Sequence, residues 1–384
     1  MEPNRGVLFR EPAAICFINT QTTQLPSPRD RRIDFWRGLC LIDMVLVHLY
    51  YVNLQFGAVG PWLGEYSRFA AGGFVFVAGL AIGAIFLPKS FERDRRMSTY
   101  RRLWERSLRV LGWQYLVAIA WVALDVYNGS HDPVTTVWQL LSGVLFLREG
   151  GDLLPLYVIL IALAPLLMEC FRFRGGRWLL ATVSIGTFIF GRFHPYALAV
   201  DPQGKFPPLL WQIVFIAGFF CGSFLKSYDR LAFGRKLAIS VGAWTAFGLL
   251  FWCEFWKMFN FPACPVSLVF TKTPLTTGEL LRYLSMVVGL LTATDLLWRH
   301  IAFSAVTSFA ATLGRSTLVV YVAHTFLIEY CRVKGADWAW MGLWQLMSIP
   351  ICLLLLWLLA VALQWPKRTA SALDWQWASP QRVR

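Results

Sequence analysis

The chain has 384 residues, 57% of them hydrophobic, a mean hydropathy of +0.52 and a formal net charge of +14. An ordinary soluble domain is excluded, since its apolar share is about 45–50%; the composition reads as one polytopic, all-α membrane domain. In a soluble chain the charge would suggest a nucleic-acid partner, but here the arginines fall in short loops between apolar runs and the partner expected is the lipid bilayer.

Residues 1–28 are polar and proline-containing, lack the architecture of a signal peptide, and read as a flexible cytoplasmic tail. About 20 apolar residues cross a bilayer as a helix. Ten stretches qualify: 35–57, 69–88, 108–127, 153–171, 178–194, 208–227, 236–258, 278–298, 304–331 and 341–364. They define a membrane domain over 29–366, with a second cytoplasmic tail at 367–384. Residues 135–147 (TTVWQLLSGVLFL) are too short to cross and are expected to be interfacial or re-entrant. The stretch 89–109, with Lys89, Arg93, Arg95, Arg96, Arg101, Arg102, Arg106 and Arg109, lies on the same side as the turn FRFRGGR and as Lys226, Arg230, Arg235 and Lys236. The alternate loops are poor in Lys and Arg, so both termini are expected in the cytoplasm. Eight cysteines form no CxxC pair and lie mostly in apolar runs, so neither a disulfide framework nor a metal site is expected.

Ionisable residues inside spans are functional-site candidates by default. Arg37 and His48 are eleven residues apart on the first span, about 1100° of helix, which puts them on one face within about 20° and ~16 Å apart along the axis. A cation at the cytoplasmic mouth with a titratable base three turns deeper suits a substrate that is anionic at one end and reactive at the other. The alternative is that His48 hydrogen-bonds a neighbouring helix as packing. Asp43 is about 140° away from His48 on the same helix and is not placed to orient it. His324, on the ninth span, has the same two readings; on a continuous helix it would face away from Arg315. His131, His194 and His300 fall in loops or at span ends and read as solvated, and Asp125, Asp295, Glu329 and Arg192 read as interfacial. Gly72, Gly73, Gly79 and Gly83 permit close helix approach, and Pro155 and Pro165 would kink the fourth span.

R37-GLCLIDMVLV-H48 resembles the first-span signature of the acyltransferase family 3 membrane proteins. FVFVAGLAIG (74–83) resembles that family's second-span element, with Ala78 where serine is usual; RSLRVLGWQYLVAI (106–119) resembles its basic entry to the third span, and LGRSTLVVYVAHTFLI (313–328) its late span. RIDFWRGL (32–39), DLLPLYV (152–158) and PLLWQIVFIAG (208–218) resemble the OpgC branch, the succinyltransferases of osmoregulated periplasmic glucans. The resemblance covers most of 29–364. It implies a multi-pass enzyme of the bacterial inner membrane that binds no resident cofactor. Acyl-CoA, succinyl-CoA for this branch, is the cytoplasmic co-substrate, and a periplasmic glucan is the acceptor. By the same resemblance His48 is the general base, Arg37 positions the donor, and Arg106 and Arg109 hold its phosphates. Asp152, Tyr157, Trp211 and Gln212 contact substrate, and His324 binds or orients substrate or supplies a second proton relay. Acetylation of another extracytoplasmic polysaccharide, or export of a substituted sugar or lipid, are the competing readings.

Overall fold

The computed structural model describes residues 30–53, 69–127, 153–195, 197–198, 206–260, 270, 274–338 and 347–364. The chain divides into two units, Met1–Asp30 and Arg31–Arg384, and the helices belong to the second. Among the described residues no strand occurs. The helices are α1 (Arg31–Asn53), α2 (Phe69–Phe91), α3 (Arg93–Tyr127), α4 (Leu153–Cys170), α5 (Gly176–Phe193), α6 (Pro208–Asp229), α7 (Phe233–Asn260), α8 (Thr277–Ile301), α9 (Ala305–Arg315), α10 (Thr317–Trp338) and α11 (Met347–Gln364). A single π-helical turn at Ile82–Phe86 interrupts α2.

Apart from end residues and a break at Ser316 in the ninth, each apolar stretch read from the sequence is helical over its described part. Among the described residues six helices, α2, α4, α6, α7, α8 and α11, are long and apolar enough to cross a membrane, and α9 with α10 makes a seventh if the two are one bent span. In α1, Arg37, Asp43 and His48 interrupt the apolar run. Large apolar side chains point outward, including Leu108, Trp178, Phe193, Trp252 and Leu355. Trp178 is 81% exposed. Such a cover suits lipid. The two tails and residues 135–147 lie outside the described residues.

The ninth stretch, expected as one helix over 304–331, is two helices meeting at 92°. Local hydrogen bonding accounts for the break. The Thr317 hydroxyl donates to the Gly314 carbonyl, and the Ser316 N–H donates to Leu313 at 3.1 Å, three residues back rather than four. Hydroxyls that take backbone carbonyls compete with the helical ladder. The angular relation between Arg315 and His324 expected on a continuous helix therefore does not apply.

Two backbone-to-backbone crossings hold the bundle. At the first, Gly79 and Gly83 of α2 meet Gly218 and Gly222 of α6: a Cβ added to each would sit 2.0–2.2 Å from a carbonyl oxygen of the other helix. Both helices carry glycines four apart, the small-residue spacing that permits close approach in membranes. At the second, α1 crosses α9: a Cβ on Gly38 would sit 1.8 Å from the Ala310 oxygen, and one on Gly314 1.8 Å from the Asp34 oxygen. At one end of the bundle, Arg32 binds Asp229 at 2.8 Å and Asp295 at 2.6 Å, and Lys236 binds Asp295 at 2.9 Å, joining α1, α6, α7 and α8. Asp295, read from the sequence as merely interfacial, is the hub of that network. Toward the other end, Arg282 pairs with Glu279 at 2.7 Å and with Glu254, all three buried between α7 and α8.

Replacing Gly314 or Gly38 with alanine forces α1 and α9 apart and is expected to cost about 1–3 kcal/mol, as overpacking does. Gly242, whose added Cβ meets nothing within 4 Å, should tolerate alanine without loss. Thermal unfolding in detergent checks this; equal midpoints for Gly314→Ala and Gly242→Ala would refute the close crossing.

Candidate active site

A hydrogen-bonded seam positions the third helix. Trp104 Nε1 donates to the Ala162 carbonyl at 3.3 Å, and the Ser107 hydroxyl to the Val158 carbonyl at 2.8 Å, so α3 lies along α4. At the basic end of the seam Glu169 accepts from Tyr100 and pairs with Arg96 at 2.5 Å. Burial, and then the adjacent Glu169 carboxylate, raise the Tyr100 hydroxyl above its ordinary value, so it stays protonated and donates. With the seam in this register, Arg106 and Val110, four residues apart, face inward, while Arg109 is exposed on the outer face.

Inward of that seam is a cavity of about 80 Å³, room for several water molecules or one small anion. Arg37 of α1, Arg106 of α3, Tyr157 of α4 and Tyr321 of α10 line it, against apolar walls that include Phe74 and Ala78. The Tyr157 hydroxyl oxygen is buried and meets no hydrogen-bond partner among the described residues, so it presents a donor to whatever fills the space. Thr317 and Leu318 also line the cavity, which places the N-terminus of α10 against it. Two guanidiniums and a helix N-terminus, groups that suit an anion, thus face the cavity. Asp34, 1% exposed, sits between Arg37 and Arg315, 3.7 Å from each, and anchors the base of the site.

Beyond the cavity are the histidines. Phe74 and Tyr321 meet edge to face with centroids 6.2 Å apart, and the Tyr321 ring is 4.9 Å from that of His324. His48 is half-buried and His324 is 0% exposed. His48 Nδ1 lies 3.2 Å from His324 Nε2, the rings nearly parallel at 5°. Helices α1 and α10 therefore run side by side: Arg37 shares the cavity with Thr317, Leu318 and Tyr321, and further along the same pair of helices His48 meets His324.

Of the residues singled out in the sequence, Arg37, Arg106 and Tyr157 come together in the cavity. His48 and His324 come together beside it and are not among its lining residues. Arg109 is separated from Arg106 by its exposure. Trp211 is fully buried in the core, packed against Phe206 and Tyr283. Gln212 bonds Ser184, accepting from its hydroxyl and donating to its carbonyl at 2.8 Å each, and so ties α6 to α5. Asp152 and His131 lie outside the described residues, as do the side chains of Asp125 and Glu329, while His194 and His300 are exposed as expected.

Sequence reasoning missed Asp34, Tyr321 and the buried Glu254–Arg282–Glu279 group. Asp34 stands three residues before Arg37, the spacing that lets helical neighbours pair. Glu279 and Arg282 have the same spacing within a span, a signal that was available. Ala78, where the resembled motif carries serine, lines the cavity.

Comparison with curated proteins and with solved structures gave no match. The model of the family described as OpgC protein matches residues 29–368, nearly the whole helical region, including Arg37, His48, Arg106 and His324. The chain belongs to the OpgC protein family and is a membrane acyltransferase-like protein.

Proposed function

We propose that this protein is a ten-span enzyme of the bacterial inner membrane, both termini cytoplasmic, that moves a succinyl group from succinyl-CoA onto hydroxyls of a periplasmic glucan. The observation that carries the reading is the convergence of Arg37, Arg106 and the N-terminus of α10 on one cavity, with the paired histidines beyond it. The guanidiniums that line the cavity suit an anionic ligand, and a CoA donor brings phosphates. Arginine suits them because its fork can bind phosphate oxygens in pairs. Arg37 and His48 are ~16 Å apart along α1. A pantetheine arm, with about a dozen backbone bonds, matches about four extended residues, roughly 14 Å. Phosphates held at the arginines thus put the thioester within reach of His48. The exposed Arg109, with Arg101 and Arg102, attracts the polyanion from the cytoplasm. The choice of succinyl and of a glucan rests on the motifs of the OpgC branch and on the family match.

His48 takes the proton of an acceptor hydroxyl as that oxygen bonds to the thioester carbonyl carbon. The tetrahedral intermediate collapses with cleavage of the carbon–sulfur bond. His48 then returns the proton to the departing thiolate, leaving an ester and free CoA thiol.

Replacing His48 with alanine or glutamine should lower kcat by roughly 10²–10⁴ with little change in KM for the donor. The assay follows thiol release from succinyl-CoA together with the mass of the envelope glucan. Full activity in both variants would eliminate the base role, and an acetyl rather than succinyl mass increment would replace the proposed acyl group.

Arg106→Ala should raise KM for the donor by about ten- to a hundredfold at any salt, about 1.4–2.8 kcal/mol. Arg109→Ala should give a smaller rise that disappears at high ionic strength, as expected for long-range attraction. Equal, salt-independent effects would remove the cavity from donor binding.

A further inference from the structure

We propose that His324 is a positioning residue that fixes the tautomer of His48, leaving Nε2 of His48 as the nitrogen that accepts the substrate proton. The catalytic consequence rests on the acyltransfer reading above; the tautomer itself rests on a chain of hydrogen bonds.

That chain begins at a backbone carbonyl. His324 Nδ1 bonds the Tyr321 oxygen. A carbonyl oxygen can only accept, so the His324 proton is on Nδ1. The ring is 0% exposed within an apolar bundle, where an isolated charge is costly, so it is neutral and carries one N–H. His324 Nε2 therefore holds a lone pair and accepts. The atom facing it, at 3.2 Å, is His48 Nδ1, which must donate. A neutral His48 that donates from Nδ1 keeps its own lone pair at Nε2.

This order of protons is the reverse of what a free neutral imidazole favours in water, where the Nε2–H form predominates. Left to itself, His48 would mostly present an N–H from the ring atom farthest from its backbone, and that atom could not act as a base. His324 inverts the preference. The packing makes the inversion firm, because the two rings are held nearly parallel with centroids 5.3 Å apart and the Tyr321 ring abuts His324 on the cavity side. When His48 takes the acceptor's proton it gains an N–H at Nε2 and keeps the one at Nδ1. His324 Nε2 continues to accept from Nδ1, so the positive charge formed in the step has a lone pair beside it. The arrangement gives His324 the orienting role a carboxylate plays beside a catalytic histidine in serine proteases, without placing a negative charge in the membrane.

Solution NMR of full-length protein carrying ¹⁵N-labelled histidine, in nanodiscs, reads the tautomer directly. The chain has five histidines, and His48→Gln identifies the signals of His48. The expected wild-type spectrum has a protonated Nδ1 and an unprotonated Nε2 at His48. A wild-type His48 protonated on Nε2 overturns the proposal, and that reading needs no other folded variant. His324→Ala should move the His48 proton to Nε2 and lower kcat roughly 100-fold with KM for the donor unchanged. His324→Gln, whose side-chain oxygen can occupy the place of Nε2, should restore the Nδ1–H form and bring kcat to within about tenfold of wild type. An alanine variant that keeps the wild-type tautomer also overturns it. If the tautomer follows His324 while turnover in every variant matches wild type, the base role of His48 falls and the positioning role falls with it, although the hydrogen-bond chain stands.

Discussion

Everything at the site depends on how closely α1 and α9 cross. With Gly38 and Gly314 against each other's backbones, α9 lies across the beginning of α1, and the 92° turn that follows sends α10 back along it. A wider crossing would carry the N-terminus of α10 away from Arg37 and His324 away from His48. Asp34 reinforces this geometry, since its buried carboxylate lies between Arg37 on its own helix and Arg315 at the end of α9. The same side chain thus joins the crossing to the cation that lines the cavity. Backbone contact of this kind is available where glycine removes the Cβ, and in lipid it replaces the hydrophobic drive that joins helices in water.

The polar groups buried in this bundle are sorted by position. Charged groups near the basic end are cross-linked in pairs and triples, as with Arg32, Asp229, Asp295 and Lys236. Arg37, paired with Asp34, and Arg106 line the cavity. Deeper in, past the buried Asp43 carboxylate of α1, charge gives way to two imidazoles that hydrogen-bond each other. This gradient follows the cost of polarity in hydrocarbon, which rises toward the centre of the bilayer. It also fits the donor proposed above, which would enter with its charges behind and its reactive carbon in front.

Much of this was legible in the sequence, for physical reasons. The helices were, because an uninterrupted apolar run of the right length has few other uses. So was the pairing of Arg37 with His48 on one line of α1, since a helix fixes the angle between positions. The break at Ser316 was not, because it lies in the hydrogen bonds that Ser316 and Thr317 make to carbonyls three residues back, which composition does not announce. Nor was the meeting of His48 with His324, which depends on that turn and on residues 276 apart. Gln212 and Trp211 belong to a motif of the resembled branch, yet here they are engaged in packing α6 against its neighbours. A motif marks positions that matter without saying whether they meet a ligand or hold a helix. Arg109 teaches the converse: it shares a basic stretch with Arg106, but three residues of rotation turn it outward.

The buried Glu254–Arg282–Glu279 group joins α7 to α8 through one shared guanidinium. Glu279 and Arg282 pair within α8, whereas the Glu254 carboxylate of α7 meets that guanidinium across the helix boundary, so α7 enters lipid at less cost with α8 beside it. The shared guanidinium therefore favours insertion of α7 and α8 as a hairpin, with the ion pair closed before the helices meet lipid.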